Sequence, residues 1–199
     1  MTIYATVNNI IGYGEKTEPI WTLISPSAIL QGGNPYFVPD FAARFEARTA
    51  LAVRIGKLGK SIAPRFVHRY VDAAAPAVVF VAADRLEGLR DDGLPWTSAM
   101  SYDRSLAIGR FTSLPYEDII RCRSSLSLKG PDHIENAEEV CLATGPGLEE
   151  TVAAISRDNT LKTGDILLIG IAGSGPTAAP GMRAHIEFNG EDALEFNIR

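Results

Sequence analysis

The feature that most constrains this chain is a succession of short apolar or alternating runs, each closed off by Gly, Pro, Asn or Asp. They fall at residues 3–7, 20–24, 49–55, 78–82, 124–128, 165–171, 183–188 and 194–198. Most are rich in β-branched or aromatic side chains and too short for a helix, so they read as strands. Asn189-Gly190 lies between the last two. Both residues tolerate a positive φ, which predicts a tight hairpin with its second strand starting near Asp192. Three segments have helical character. In 64–75, Phe66, Val67, Tyr70 and Val71 share one side, and Pro64 suits a first turn. In 148–157, Leu148, Val152 and Ile155 are helically spaced, and Glu149 and Glu150 sit where the helix dipole favours them. A shorter helix or turn is expected over 84–91. Strands with helices inserted, rather than a regular alternation, predict an α+β fold with mixed sheets.

At 199 residues the chain is expected to form a single domain, 1–199. Its 46% hydrophobic content supports a core without staples, and a net charge of −5 argues against nucleic acid or an anionic membrane as partner. Cys122 and Cys141 are too few for a disulfide framework and have no ligand-spaced partner. The first nine residues lack the pattern of a signal peptide, and no apolar run approaches the roughly 18 residues that span a bilayer. A cytoplasmic location is the expectation by elimination.

The residues alone point to no enzyme. The Gly-rich stretch 170–181 follows a strand, but Pro176 and Pro180 lead into another strand. A phosphate cradle needs a helix N-terminus there, so a structural loop is expected. His68, His133 and His185 are too far apart in sequence to form a helical metal-binding pair. No nucleophile elbow is present. Asp84, Glu87, Asp91 and Asp92 read as a solvated charged face.

A longer pattern adds to this. Residues 44–62 (RFEARTALAVRIGKLGKSI) and 63–72 (APRFVHRYVD) resemble the early core of the fumarylacetoacetate hydrolase family. The likeness continues through 96–103 (WTSAMSYD), 106–111 (LAIGRF) and 160–170 (TLKTGDILLIG) to the closing strands, with 1–35 a weakly matching N-terminal segment. The resemblance implies a mixed β-sandwich roll with peripheral helices, usually a homodimer, acting on oxo-acids around a divalent cation. In the family a Glu-x-Glu pair on an early strand and an Asp on a later one hold that ion. Two residues apart on a strand share a face, so both carboxylates can enter one cavity.

Carried onto this chain, the pair falls on Arg48 and Ala50, and the Asp on Val79. The family's lysine falls on Met100, the hydroxyl of its Gly-Thr-Pro on Ile171, and the nearest counterpart of an N-terminal histidine is Tyr13. Tyr102 and Asp103 fit the pattern. Sliding the register by two offers Glu46, but then places Arg48 beside the would-be dication. The implied reading is a member with no metal, cofactor or catalytic residue of the usual kind. A non-catalytic binding or interaction protein, pairing with itself or a related subunit, is the first expectation. The alternative is a metal-free or divergent enzyme of hydrolase, decarboxylase or isomerase type. In it Arg48 anchors the carboxylate of a small oxo-acid. Its competitor is an Arg48 ion pair with Glu46 or Asp84 that is only structural.

Overall fold

A computed structural model describes residues 1–8, 18–142 and 147–199. In chain order its strands are β1 (Ile3–Thr6), β2 (Trp21–Ile24), β3 (Ile29–Leu30), β4 (Phe45–Ile55), β5 (Val71–Ala82), β6 (Leu106–Ile108) and β7 (Thr112–Ser113). Then follow β8 (Arg123–Lys129), β9 (Ile134–Asn136), β10 (Val140–Cys141), β11 (Ile166–Ile169), β12 (Arg183–Phe188) and β13 (Glu191–Asn197). The helices are α1 (Ala83–Asp91), α2 (Tyr116–Ile119) and α3 (Leu148–Asp158), with 3₁₀ turns at Pro26–Ala28, Pro64–Arg69 and Thr97–Ala99. Among the described residues no helix is long and apolar enough to cross a membrane.

Eight strands form a mixed sheet in the order β2-β1-β11-β4-β5-β6-β3, with β7 also on β5. Five form an antiparallel sheet in the order β10-β8-β12-β13, with β9 on β8. The architecture is the α+β arrangement of two sheets with few helices that the sequence implies. Its axis is the antiparallel pair β4–β5, matched from Phe45↔Ala82 to Ile55↔Val71. Both faces of that pair are buried, so β5 is apolar throughout after Asp72, while β4 buries Glu46, Arg48 and Thr49 among its apolar residues. One β4 face sends Phe45 and Ala47 toward the five-stranded sheet, and Leu51, Val53 and Ile55 into the cluster that also holds α3's Val152 and Ile155. The other face, with Ala50 and Ala52, packs among Ile3, Ala5, Leu168, Val79 and Met100.

The expected helix over 64–75 is corrected. A 3₁₀ turn ends at Arg69 and the chain is already extended from Val71. Ala73, Ala74 and Ala75 have good helix propensity, but each is fully buried and paired with β4, so tertiary pairing overrides it. Pro76 within β5 hid the strand. Its carbonyl accepts from Gly109 N–H beyond the end of β6, and β7 joins β5 only at Ala73 and Ala74. The missing proline donor therefore faces the stretch just past the end of β6 and before β7, where β5 has no paired neighbour strand on that side and a proline is tolerated. The hairpin forms as expected, with φ of 55° at Asn189 and 84° at Gly190.

The Gly-rich stretch is the structural loop anticipated. After β11 the chain turns at Gly170 (φ 66°) and keeps to the same edge of β4. Ala172 N–H donates to Thr49, Ala47 N–H to Pro176, and Ala178 N–H to Phe45. Gly175 lies so close that a Cβ would stand 2.0 Å from the Ala47 carbonyl oxygen. Gly175→Ala is expected to destabilise the fold by about 1–3 kcal/mol. Urea denaturation would show this as a lower midpoint at unchanged slope, and an unchanged midpoint would contradict the close approach.

Candidate functional site

Side chains alternate along a strand, so Glu46, Arg48, Ala50 and Ala52 share one face of β4. Across the ladder Arg48 stands opposite Val79 and Ala50 opposite Ala77. Arg48, Ala50 and Val79 therefore occupy adjoining positions. Met100 follows the 3₁₀ turn Thr97–Ala99, and its carbonyl accepts from Ser105 Oγ at 2.9 Å. Ile171 is carried in beside β4 by the turn at Gly170. Ala50, Val79, Met100 and Ile171 belong to one buried apolar cluster, with Arg48 at its edge. Five of the six positions taken from the family pattern thus come together. Tyr13 lies outside the described residues.

The charged part of the site is a row of alternating sign. Glu87 on α1 meets Arg44 at 2.5 Å, and Arg44 meets Glu46 Oε1 at 2.6 Å. Glu46 Oε2 accepts from Arg48 Nη2 at 2.9 Å and from Nε at 3.2 Å. The row runs from solvent into the protein: Glu87 is 62% exposed, Arg44 41%, Glu46 8% and Arg48 6%. Burial pulls the Arg48 pKa below its ordinary value, and the adjoining Glu46 carboxylate opposes that pull. Arg48 Nη1 is fully buried with no hydrogen-bond partner among the described residues. Leaving such a donor unpaired costs about 1–3 kcal/mol, and more when it is charged.

One expectation is corrected here. Asp84 and Glu87 are not merely a solvated face of α1. Asp84, in its first turn, accepts from the backbone N–H of Ala43 at 2.8 Å and of Arg44 at 3.3 Å. These donors, Ala43 foremost, hold its carboxyl below the usual range. Of the two partners expected for Arg48, Glu46 forms the ion pair, while Asp84 fixes the backbone entering β4. Sequence reasoning offered the Arg48–Glu46 pair but missed its continuation through Arg44 to Glu87, because it started the strand at Thr49. A strand begun at Phe45 puts Glu46 and Arg48 on one face, with Arg44 just before them in step.

Other singled-out residues have structural surroundings. Tyr102 Oη and Tyr36 Oη share a hydrogen bond of 2.8 Å, and burial raises the pKa of both. His68 is exposed, edge-on to Tyr116. Cys122 is a buried free thiol. Among the described residues, one group of three side chains has metal-ligand spacing: His185, Glu187 and Asp192 on the hairpin of the five-stranded sheet.

The fumarylacetoacetate (FAA) hydrolase C-terminal family model matches residues 7–198. The chain belongs to this family. It is 28% identical over 164 residues to the mitochondrial oxaloacetate tautomerase FAHD1 of Mus musculus, covering 80% of this chain and 72% of that one. To the mitochondrial oxaloacetate decarboxylase of Dictyostelium discoideum it is 26% identical over 199 residues, covering 98% and 89%. Its fold matches that of fumarylpyruvate hydrolase from Pseudomonas aeruginosa, solved with Mn²⁺ and pyruvate. That match has a TM-score of 0.82 at 19% identity over 100% of this chain and 89% of that one.

The divalent cation implied by the family pattern does not fit the side chains at these positions. Arg48, Ala50 and Val79 offer a guanidinium, a methyl and an isopropyl group, with no oxygen for a hard cation. Glu46, the carboxylate nearest along the strand, is already held by two arginines.

Because Glu46 is the counter-charge of a buried guanidinium, Glu46→Ala is expected to cost about 3–5 kcal/mol in urea denaturation. A loss below about 1 kcal/mol would contradict that role. The depressed Asp84 pKa stabilises the fold above the unfolded carboxylate range, and this contribution is lost as pH falls through the folded value. Asp84→Asn should therefore lower stability at neutral pH and shrink the acid-induced loss below roughly pH 4. An identical acid limb in pH-dependent melting would count against it.

Proposed function

We propose that this protein is a divergent family member acting on a small 2-oxo acid without a metal, with Arg48 anchoring the substrate carboxylate. The observation that carries this is Arg48 itself. It is a buried guanidinium whose Nη1 has no partner among the described residues, at the position where the family pattern places a metal ligand. A guanidinium presents planar paired donors to a carboxylate and keeps its charge at any working pH. Glu46 takes Nε and Nη2, which leaves Nη1 for a ligand. The relatives support the substrate class: two are named for oxaloacetate, and the Pseudomonas aeruginosa hydrolase holds pyruvate.

The residues have separable tasks in this reading. Arg48 binds and orients the carboxylate. Ala50, Val79, Met100 and Ile171 form an apolar surround that excludes water and strengthens the charge contact. Arg44 and Glu87 hold the outer end of the charged row. Oxaloacetate, for which two of the relatives are named, is an oxo-acid that carries carboxylates, so anchoring one of them is the step this chain's residues supply.

The second reading is a non-catalytic binding protein that pairs with itself or a related subunit. The close packing of Val79, Met100 and Ile171, each almost wholly buried, favours it. The two readings separate in one experiment, oxaloacetate turnover measured with a chelator present. Chelator-resistant turnover that falls at least about 100-fold in Arg48→Ala supports the enzyme. Pyruvate binding without turnover supports the binding protein. Turnover that requires Mg²⁺ or Mn²⁺, or that survives Arg48→Ala, overturns the proposal.

A further inference from the structure

We propose that His185, Glu187 and Asp192 form a binding site for one zinc-class divalent cation, which clips β12 to β13. The site is independent of the Arg48 reading, because it lies on the five-stranded sheet and Arg48 on the eight-stranded one. Side chains alternate along β12, so Ala184, Ile186 and Phe188 are buried while Arg183, His185 and Glu187 share the outer face. A regular ladder continued from Ile186↔Leu194 would set Glu187 opposite Ala193, and Asp192 opposite the buried Phe188. The register shifts between Ile186 and Glu187, and Asp192 stands opposite Glu187 instead. A bulge of this kind re-aims a side chain, and here it brings a second carboxylate to the imidazole.

The three ligand atoms converge. His185 Nε2 lies 3.1 Å from Asp192 Oδ1 and 3.7 Å from Glu187 Oε1, and the three ligand atoms all lie within 4.8 Å of one another. Tetrahedral zinc with bonds of about 2.0–2.2 Å sets neighbouring ligand atoms about 3.3–3.6 Å apart, so small side-chain shifts suffice. The fourth position faces solvent, where the Asp192 side chain is 85% exposed, and water can fill it. An imidazole nitrogen beside carboxylate oxygens suits Zn²⁺, Co²⁺ or Ni²⁺ better than Mg²⁺ or Ca²⁺, which prefer all-oxygen sets.

The local charge favours a cation as well. Like charges directly opposite on antiparallel strands repel. Among the described residues no lysine or arginine pairs with Glu187 or Asp192, and both turn to His185. Glu195, opposite His185, is held by Arg183 at 2.8 Å, and Ser125 and Ser127 on β8 carry no charge. With both carboxylates ionised, one imidazole leaves the group negative whether or not it is protonated. Ser125 Oγ donates to Glu187 Oε2 at 3.3 Å, which holds that carboxylate with Oε1 toward the imidazole.

The test is calorimetric titration of the intact, EDTA-stripped and dialysed protein with ZnCl₂. One ion should bind per chain, and free Zn²⁺ at about 100 times Kd should raise the melting temperature by about 5–10 °C. His185→Gln and Asp192→Asn should each weaken binding at least about tenfold. Should the first variant fail to fold, the exposed Asp192→Asn decides alone. Co²⁺ should give visible bands of a nitrogen- and oxygen-ligated ion. A thiolate charge-transfer band would place the ion on cysteine and overturn the assignment. No saturable binding up to about 1 mM Zn²⁺, or undiminished binding by Asp192→Asn, overturns the proposal.

Discussion

The pairing of β4 with β5 is the constraint on which the rest of the structure depends. It runs from Phe45↔Ala82 to Ile55↔Val71, and every other strand of the large sheet is attached to one of these two directly or through one or two intervening strands. A one-residue slip would exchange the faces and drive Arg48 and Glu46 toward the five-stranded sheet, where Phe45 and Ala47 now pack. The buried ion pair therefore helps to fix the register, and the register fixes what Arg48 faces. The loop after β11 reinforces this, since it reaches Ala47 and Thr49 by backbone hydrogen bonds and approaches closely enough to require Gly175.

The same pairing determines what surrounds Arg48. Most of the face around Arg48 is alanine, valine, methionine and isoleucine, which bring no charge of their own. In such surroundings the Arg48–Glu46 pair sets the local field, because little solvent or other dipole screens it. The row Glu87–Arg44–Glu46–Arg48 carries that charge inward from the surface and balances it at each step. Asp84 then holds the backbone at the row's start, so α1 contributes to the site through Asp84 and Glu87.

The strand-rich α+β fold was legible because short apolar runs between Gly, Pro, Asn and Asp have few other solutions. The Asn189-Gly190 hairpin and α3 followed from local chemistry alone. What local chemistry concealed were the starts of the two central strands. Ala73 to Pro76 reads as a helix followed by a breaker, and only the short reach of β6 and β7 shows why Pro76 is tolerated there. The apolar run reads as starting at Thr49 because Glu46 and Arg48 interrupt it, although Phe45 to Arg48 already belong to the strand. The grouping of Arg48, Ala50, Val79, Met100 and Ile171 came from family resemblance, with no spacing rule to suggest it. The partnership of α1 with Arg44 joins residues about forty positions apart and leaves no local trace.

The central claim is that a guanidinium stands where the family pattern places a metal, and that it holds a carboxylate. The most direct measurement is a crystal structure grown with Mn²⁺ and pyruvate together, with anomalous scattering used to locate manganese. The account predicts no manganese beside Arg48, Ala50 and Val79, and a pyruvate carboxylate hydrogen-bonded to Arg48 Nη1. An anomalous peak at those three residues, or pyruvate bound away from Arg48, would contradict it.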